Sequence, residues 1–147
     1  ILTGDVLAAH LAVDSFFGPH CDWIRIDTVT ASGVGISLGH CALGLSFREP
    51  TYSSRAVSPI KIGEYLNAGI PVIGDATGDS GQELVARGVL IEPDQTGDKA
   101  ALNWVMGKVQ GQREEMREQC RAAGLDYFGI QKSVEDYHQA LTFVILQ

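Results

Sequence analysis

The chain has 147 residues, 45% of them hydrophobic and 20% charged, with 18 Asp and Glu against 11 Lys and Arg for a formal net charge of −7. That length predicts one domain with a sizeable core, and the composition argues against disorder. The acidic balance, with no Lys/Arg cluster, argues against nucleic acid as a partner, and every apolar run falls short of the about 20 residues that a membrane span needs.

The first predicted element is a helix over Asp5 to Phe17, with Val6, Ala9, Val13 and Phe16 on one face and Gly18-Pro19 as its stop. Trp23 to Ile26 reads as a short strand. Ser32 to Cys41 reads as a helix, although three glycines weaken it. Ala42 to Phe47 (ALGLSF) is a better strand, and a Ser-, Thr- and Tyr-rich loop from Arg48 to Val57 follows.

The segment Ser58 to Ile73 (SPIKIGEYLNAGIPVI) is the clearest unit. Ser58 suits an N-cap, Pro59 suits the first turn, and Ile60 to Ala68 fills a helix whose buried stripe is Ile62, Tyr65 and Leu66. Gly69 suits a left-handed C-cap, and Ile70 to Ile73 reads as a buried parallel strand. Asp79 to Arg87 is predicted helical, Gly88 to Ile91 a strand closed by Pro93, Lys99 to Ala123 a long helix, and Ser133 to Leu146 a terminal one. Strands alternating with helices predict a parallel sheet covered on both faces, an α/β fold. Ligands of such sheets bind at the carboxyl ends of the strands, here after Ile26, Phe47 and Ile73.

Candidate chemistry concentrates on the helix that begins after Ser58. A helix N-terminus presents unpaired N–H groups and partial positive charge. Lys61 in that first turn opposes the helix dipole, and a bound phosphate would account for it. Glu64 lies three residues on, about 300° around the helix and on the same side as Lys61. A carboxylate there can accept hydrogen bonds from the vicinal hydroxyls of a ribose. The competing reading of Lys61 and Glu64 is an i,i+3 surface pair worth a few tenths of a kcal/mol.

The segment resembles the donor-binding, C-terminal half of GT-B glycosyltransferases of the retaining, group 1 type. The pattern P-x-K-x-x-E-Y-x-x-x-G-x-P-V stands here as Pro59, Lys61, Glu64, Tyr65, Gly69, Pro71 and Val72. Gly78 to Gly81, Glu83 to Val85 and Gly88 to Pro93 also resemble the family, as does Cys41 to Phe47 before them. The resemblance runs from about Cys41 to the C-terminus. It implies a Rossmann-like parallel sheet with helices on both faces, half of a GT-B architecture, and a nucleotide-diphospho-sugar as donor. Glu64 matches the glutamate that contacts the donor ribose. The backbone amides around Ala56, Val57 and Ser58 match the loop that holds the diphosphate, and Lys61 adds charge beside it. Thr28 and Val29 fall where the family packs a nucleobase.

Two departures accompany it. Many relatives carry a second glutamate eight residues before the ribose glutamate, where Ala56 stands here. The basic pair of an earlier loop is not visible, and Arg48 and Arg55 are candidate substitutes that also read as solvated loop arginines. The resemblance thus implies sugar transfer to a sugar or glycan acceptor hydroxyl, as in polysaccharide biosynthesis. The rival readings are a nucleotide-sugar 2-epimerase of GT-B type and a non-catalytic module with a degenerate site.

Three scattered cysteines, Cys21, Cys41 and Cys120, show no zinc spacing, and His20 beside Cys21 has no further ligands to name. Metal-independent transfer without a cofactor, in a reduced cytoplasmic setting, is the expectation. The chain begins with Ile1 and reads as one domain, 1–147, of a longer enzyme. The acceptor would then be held by an N-terminal domain outside it, and these residues alone would bind donor without transferring it.

Overall fold

The computed structural model describes residues 5–19, 21–47, 60–76, 78, 80–93 and 99–145, without the side chains at 100 and 102. The chain divides into two compact units, Ile1–Ser37 and Leu38–Gln147.

In the first unit, helix α1 spans Val6–Phe17. Asp5 caps it, its carboxylate accepting the Ala8 N–H at 2.9 Å. Gly18, at φ 82°, ends it and donates its own N–H to Asp14 O. Of the predicted face, Val13 is buried and Val6 and Ala9 are half-buried, whereas Phe16 is 85% exposed. Trp23 to Ile26 form no strand, contrary to the expectation. Trp23 instead packs edge-on against Phe17, ring centroids 5.3 Å apart, and Arg25 pairs with Asp27 at 2.6 Å. Three β-type side chains among four residues make a strand only when a neighbouring backbone takes up the N–H and C=O groups. The glycine-rich stretch that follows yields a 3₁₀ turn, Ala31–Gly33, and a short helix α2, Val34–Leu38.

The second unit is built on three parallel strands in the order β1 (Gly44–Ser46), β2 (Val72–Gly74) and β3 (Leu90–Ile91). Helix α3 (Ile60–Asn67) connects β1 to β2, and helix α4 (Gly81–Ala86) connects β2 to β3. Gly44 pairs with Val72 and Val72 with Leu90, which makes one cross-strand row; Leu45, Ile73 and Ile91 make the next. Successive residues of a strand face opposite sides, so the rows alternate between the two faces.

Val72 and Leu90 belong to the core, with Ile62 and Leu66 of α3 and Leu84 of α4. Met116, Cys120 and Ala123 complete it from helix α6, Arg113–Phe128. A sheet wound in sequential order carries both right-handed crossovers on one face, and α3 and α4 accordingly share one core. Leu45, Ile73 and Ile91 lie outside that core, and Leu45 is 59% exposed. The expectation was an α/β fold with helices on both faces; the fold is α/β, and this core accounts for one face.

The turn between α3 and β2 follows from the sequence. Gly69 sits at φ 76°, in the left-handed region, and the Gly69 and Ile70 N–H groups reach back to Leu66 O and Tyr65 O. Ile62 and Leu66 are almost wholly buried, as their spacing predicts, and Tyr65 is half-buried.

The long C-terminal helix predicted over Lys99 to Ala123 is instead three pieces. Helix α5 (Lys99–Trp104) widens into a π-helical stretch, Val105–Gln110, and the chain turns at Gly111 before α6 begins. Helix α7 spans Ile130–Ile145, three residues earlier in its start than predicted. No helix among the described residues is long and apolar enough to cross a membrane.

Candidate functional site

Helix α3 is bound on one side and open on the other. Ile62, Gly63 and Leu66 are buried. Lys61 and Glu64 are exposed. At about 100° per residue the buried positions cluster on one side of the helix, and Lys61 and Glu64 fall together opposite them. No ion pair joins these two among the described residues, so the i,i+3 surface pair is not formed.

Tyr65 anchors the helix to the sheet beside them. Its hydroxyl donates to Leu45 O at 3.5 Å. Burial raises the phenol above its ordinary range, and the nearby Cys41 and Glu64 add to the shift. The Glu64 charge is therefore felt at the ring that packs against β1.

At the carboxyl edge of the sheet the backbone after β2 is tied on both sides. The Asp75 N–H donates to Ser46 O at 3.0 Å, at the end of β1. The Ala76 N–H donates to the Glu92 carboxylate at 2.7 Å, just past β3. Glu92 was not singled out from the sequence as a site residue. It stands 16 residues from its partner, and only the parallel pairing of β2 with β3 brings the two together.

The other predicted site residues are not among those of α3 and the sheet edge. Thr28 and Val29 are exposed members of the first unit. Arg48, Arg55, Ala56, Val57, Ser58 and Pro59 lie outside the described residues, so the predicted diphosphate loop and N-cap do too. Glu64 and Lys61 are the two predicted positions that the structure brings to one exposed surface.

A second polar cluster joins α4 to α6. Arg87 pairs with Asp126 at 2.6 Å and lies over the Tyr127 ring, 4.9 Å from its centroid. The Tyr127 hydroxyl donates to Glu83, whose carboxylate holds the phenol above its usual range. A groove of about 490 Å³ opens beside it, lined by Arg87, Asp126, Tyr127, Lys132 and Glu135 among others. Its two cations are already engaged, Arg87 by Asp126 and Lys132 by Asp136. Among the described residues no group of three or more His, Cys, Asp or Glu is placed to hold a metal ion.

Comparison with protein-family models, with curated proteins and with solved structures finds no match to this chain.

Proposed function

We propose that the Leu38–Gln147 unit is the donor-binding half of a GT-B glycosyltransferase, with a Rossmann-like sheet that takes a nucleotide-diphospho-sugar. The observation that carries this reading is the disposition of α3. One side is sealed in the core through Ile62 and Leu66, while Lys61 and Glu64 stand exposed and unjoined to each other on the opposite side. A cation beside a carboxylate suits a ligand that carries both phosphate and vicinal hydroxyls. The β1–α3–β2 connection supports it, because it puts the start of α3 at the carboxyl edge, where ligands of parallel sheets bind.

In this reading Glu64 accepts hydrogen bonds from the ribose hydroxyls, and Lys61 neutralises charge on the diphosphate as it leaves. Val57 and Ser58, with Arg48 and Arg55, belong to the loop that completes the phosphate site. The acceptor, a sugar or glycan hydroxyl, would be held by a separate N-terminal domain. The reading requires no metal.

A thermal-shift screen against UDP-, GDP-, ADP- and dTDP-sugars tests it. A ligand at 100 times its dissociation constant stabilises the folded state by about 2.7 kcal/mol. A rise in melting temperature with one nucleotide class is the expected result. A melting temperature unmoved by every member at millimolar concentration would overturn the assignment.

A further inference from the structure

The backbone that leaves β2 is held from β1, from α4 and from just past β3. A β-carbon on Gly74 would collide with the Ser46 carbonyl oxygen, so the ends of β1 and β2 are pressed together. The Asp75 N–H donates to that same oxygen. A β-carbon on Gly81, the first residue of α4, would lie 2.5 Å from the Ala76 carbonyl carbon, so α4 starts hard against Ala76. These are contacts of backbone with backbone, and they follow from the course of the chain.

The hold from β3 is different, because a side chain makes it. The half-buried Glu92 accepts the Ala76 N–H at 2.7 Å, in the short range of charge-assisted bonds. Strands β2 and β3 pair at Val72 with Leu90 and at Ile73 with Ile91, and the pairing ends there. Pro93, just past Glu92, has no N–H with which to carry it on. The Glu92 carboxylate takes over where the ladder stops. Its charge has a cost at this place. Ligands of parallel sheets bind at the carboxyl ends of the strands, and a carboxylate there repels an anion. A neutral acceptor of the same length would make the bond without the repulsion.

We propose that Glu92 is a positioning residue of the donor site. It acts through Ala76, holding the Gly74–Asp75–Ala76 backbone in the shape that a nucleotide-diphospho-sugar meets, and does not itself touch the ligand. This role rests on the donor-binding reading above and adds to it a residue remote from α3. Groups that meet a ligand bind it tightly when neighbouring bonds fix them beforehand, since less freedom is then lost on binding. Removing the bond to Ala76 frees the backbone at the sheet edge, while the core formed by Val72, Leu84 and Leu90 stays in place.

Calorimetric titration of the whole chain with UDP-, GDP-, ADP- and dTDP-glucose tests it. Glu92→Ala should weaken the nucleotide that binds by about tenfold, the fold-change of one ordinary hydrogen bond. Glu92→Gln keeps an acceptor and drops the charge, so it should bind as tightly as the original or more tightly. Asp126→Ala breaks the exposed ion pair with Arg87 and should leave binding unchanged, which separates position from stability. Amide exchange of the free chain, followed by NMR, is the second readout. The Ala76 N–H should exchange at least about tenfold faster in Glu92→Ala and stay protected in Glu92→Gln. Equal exchange in all three would overturn the role whatever the chain binds. Binding indifferent to Glu92→Ala, an equal loss in Glu92→Gln, which would mean direct contact with the ligand, or an equal loss in Asp126→Ala would overturn the role alone. An original chain that binds none of the four would overturn the donor-binding reading and this role with it.

Discussion

The ring of Tyr65 lies directly over the α-carbon of Gly44, so that a β-carbon on Gly44 would meet the ring at 2.5 to 2.9 Å. This contact, with the Tyr65 hydroxyl at Leu45 O, seats α3 on β1. It sets where the preceding residue of the helix, Glu64, stands relative to the sheet.

Gly44→Ala is expected to destabilise the unit by about 1–3 kcal/mol, the range for overpacking a filled site. The same substitution made on a Tyr65→Ala background should cost far less, because the ring that blocks the methyl is gone. Urea melts of the four variants of this cycle measure the coupling, and additive losses would show that the contact does not constrain α3.

Gly124→Ala sets two effects against each other. Alanine is the better helix former by about 1 kcal/mol, which favours the substitution in a free helix. In α6, however, the new β-carbon would come within 2.8 Å of the Asn67 backbone nitrogen and 3.0 Å of the Leu66 carbonyl carbon. Backbone does not step aside as a side-chain tip does, so α3 and α6 must part. A net loss of about 1–3 kcal/mol is expected, and a lower chemical denaturation midpoint reads it.

Cys120 carries a pH dependence. It is fully buried, and burial pushes its thiol from 9.0 up to about 12. Between those values the unfolded chain gives up the proton and the folded chain keeps it. The folded state then binds more protons, so stability is whole below pH 9 and falls as pH rises towards 12, by up to about 1.4 kcal/mol per pH unit. Cys120→Ala should lower stability at pH 7 by about 1 kcal/mol through the lost packing and flatten the decline above pH 9. Denaturant melts between pH 7 and pH 11 follow both.

Glu64→Ala is expected to leave stability within about 0.5 kcal/mol of the original, as for exposed positions generally. It should weaken nucleotide binding by about 1.5–3 kcal/mol, the scale of a hydrogen bond to a charged group. A 2′-deoxy nucleotide should bind the original chain less well and lose less on mutation. Calorimetric titration of ribo and deoxy ligands separates the cases, and equal losses for both would make Glu64 structural.

Lys61→Ala should weaken a nucleoside diphosphate more than the matching nucleoside, with the difference shrinking at high salt because the side chain is exposed. Titrations of both ligands at low and high salt measure this, and equal weakening would remove Lys61 from the phosphate site.

Where one residue type has a single strong local reason, the amino-acid order was enough. Ile62 and Leu66 one turn apart on a buried stripe, and Gly69 in the left-handed turn before β2, are each decided by neighbours within a few residues. So is the α/β alternation that makes β1, β2 and β3 parallel. The candidate site was legible to the same depth. Glu64 and Lys61 are recognisable because a helical period puts them on one side, opposite residues that must be buried.

What the tertiary structure alone decided concerns partners distant along the chain. Trp23 to Ile26 have strand-like side chains, but a strand is a shared ladder, and Trp23 lies against Phe17 instead. Glu92 meets the Ala76 N–H only because β2 and β3 pair side by side. Gly124 reads as a weak point in a helix until α3 is seen to approach it through Asn67 and Leu66. Val134, Tyr137 and Leu141 of α7 recur at a helical period in the sequence, yet whether such a stripe is core or surface depends on what packs over it, and here its residues are exposed. Local preference acts over a turn or two of chain, whereas burial, register and close approach are properties of elements brought together, and those the structure alone supplied.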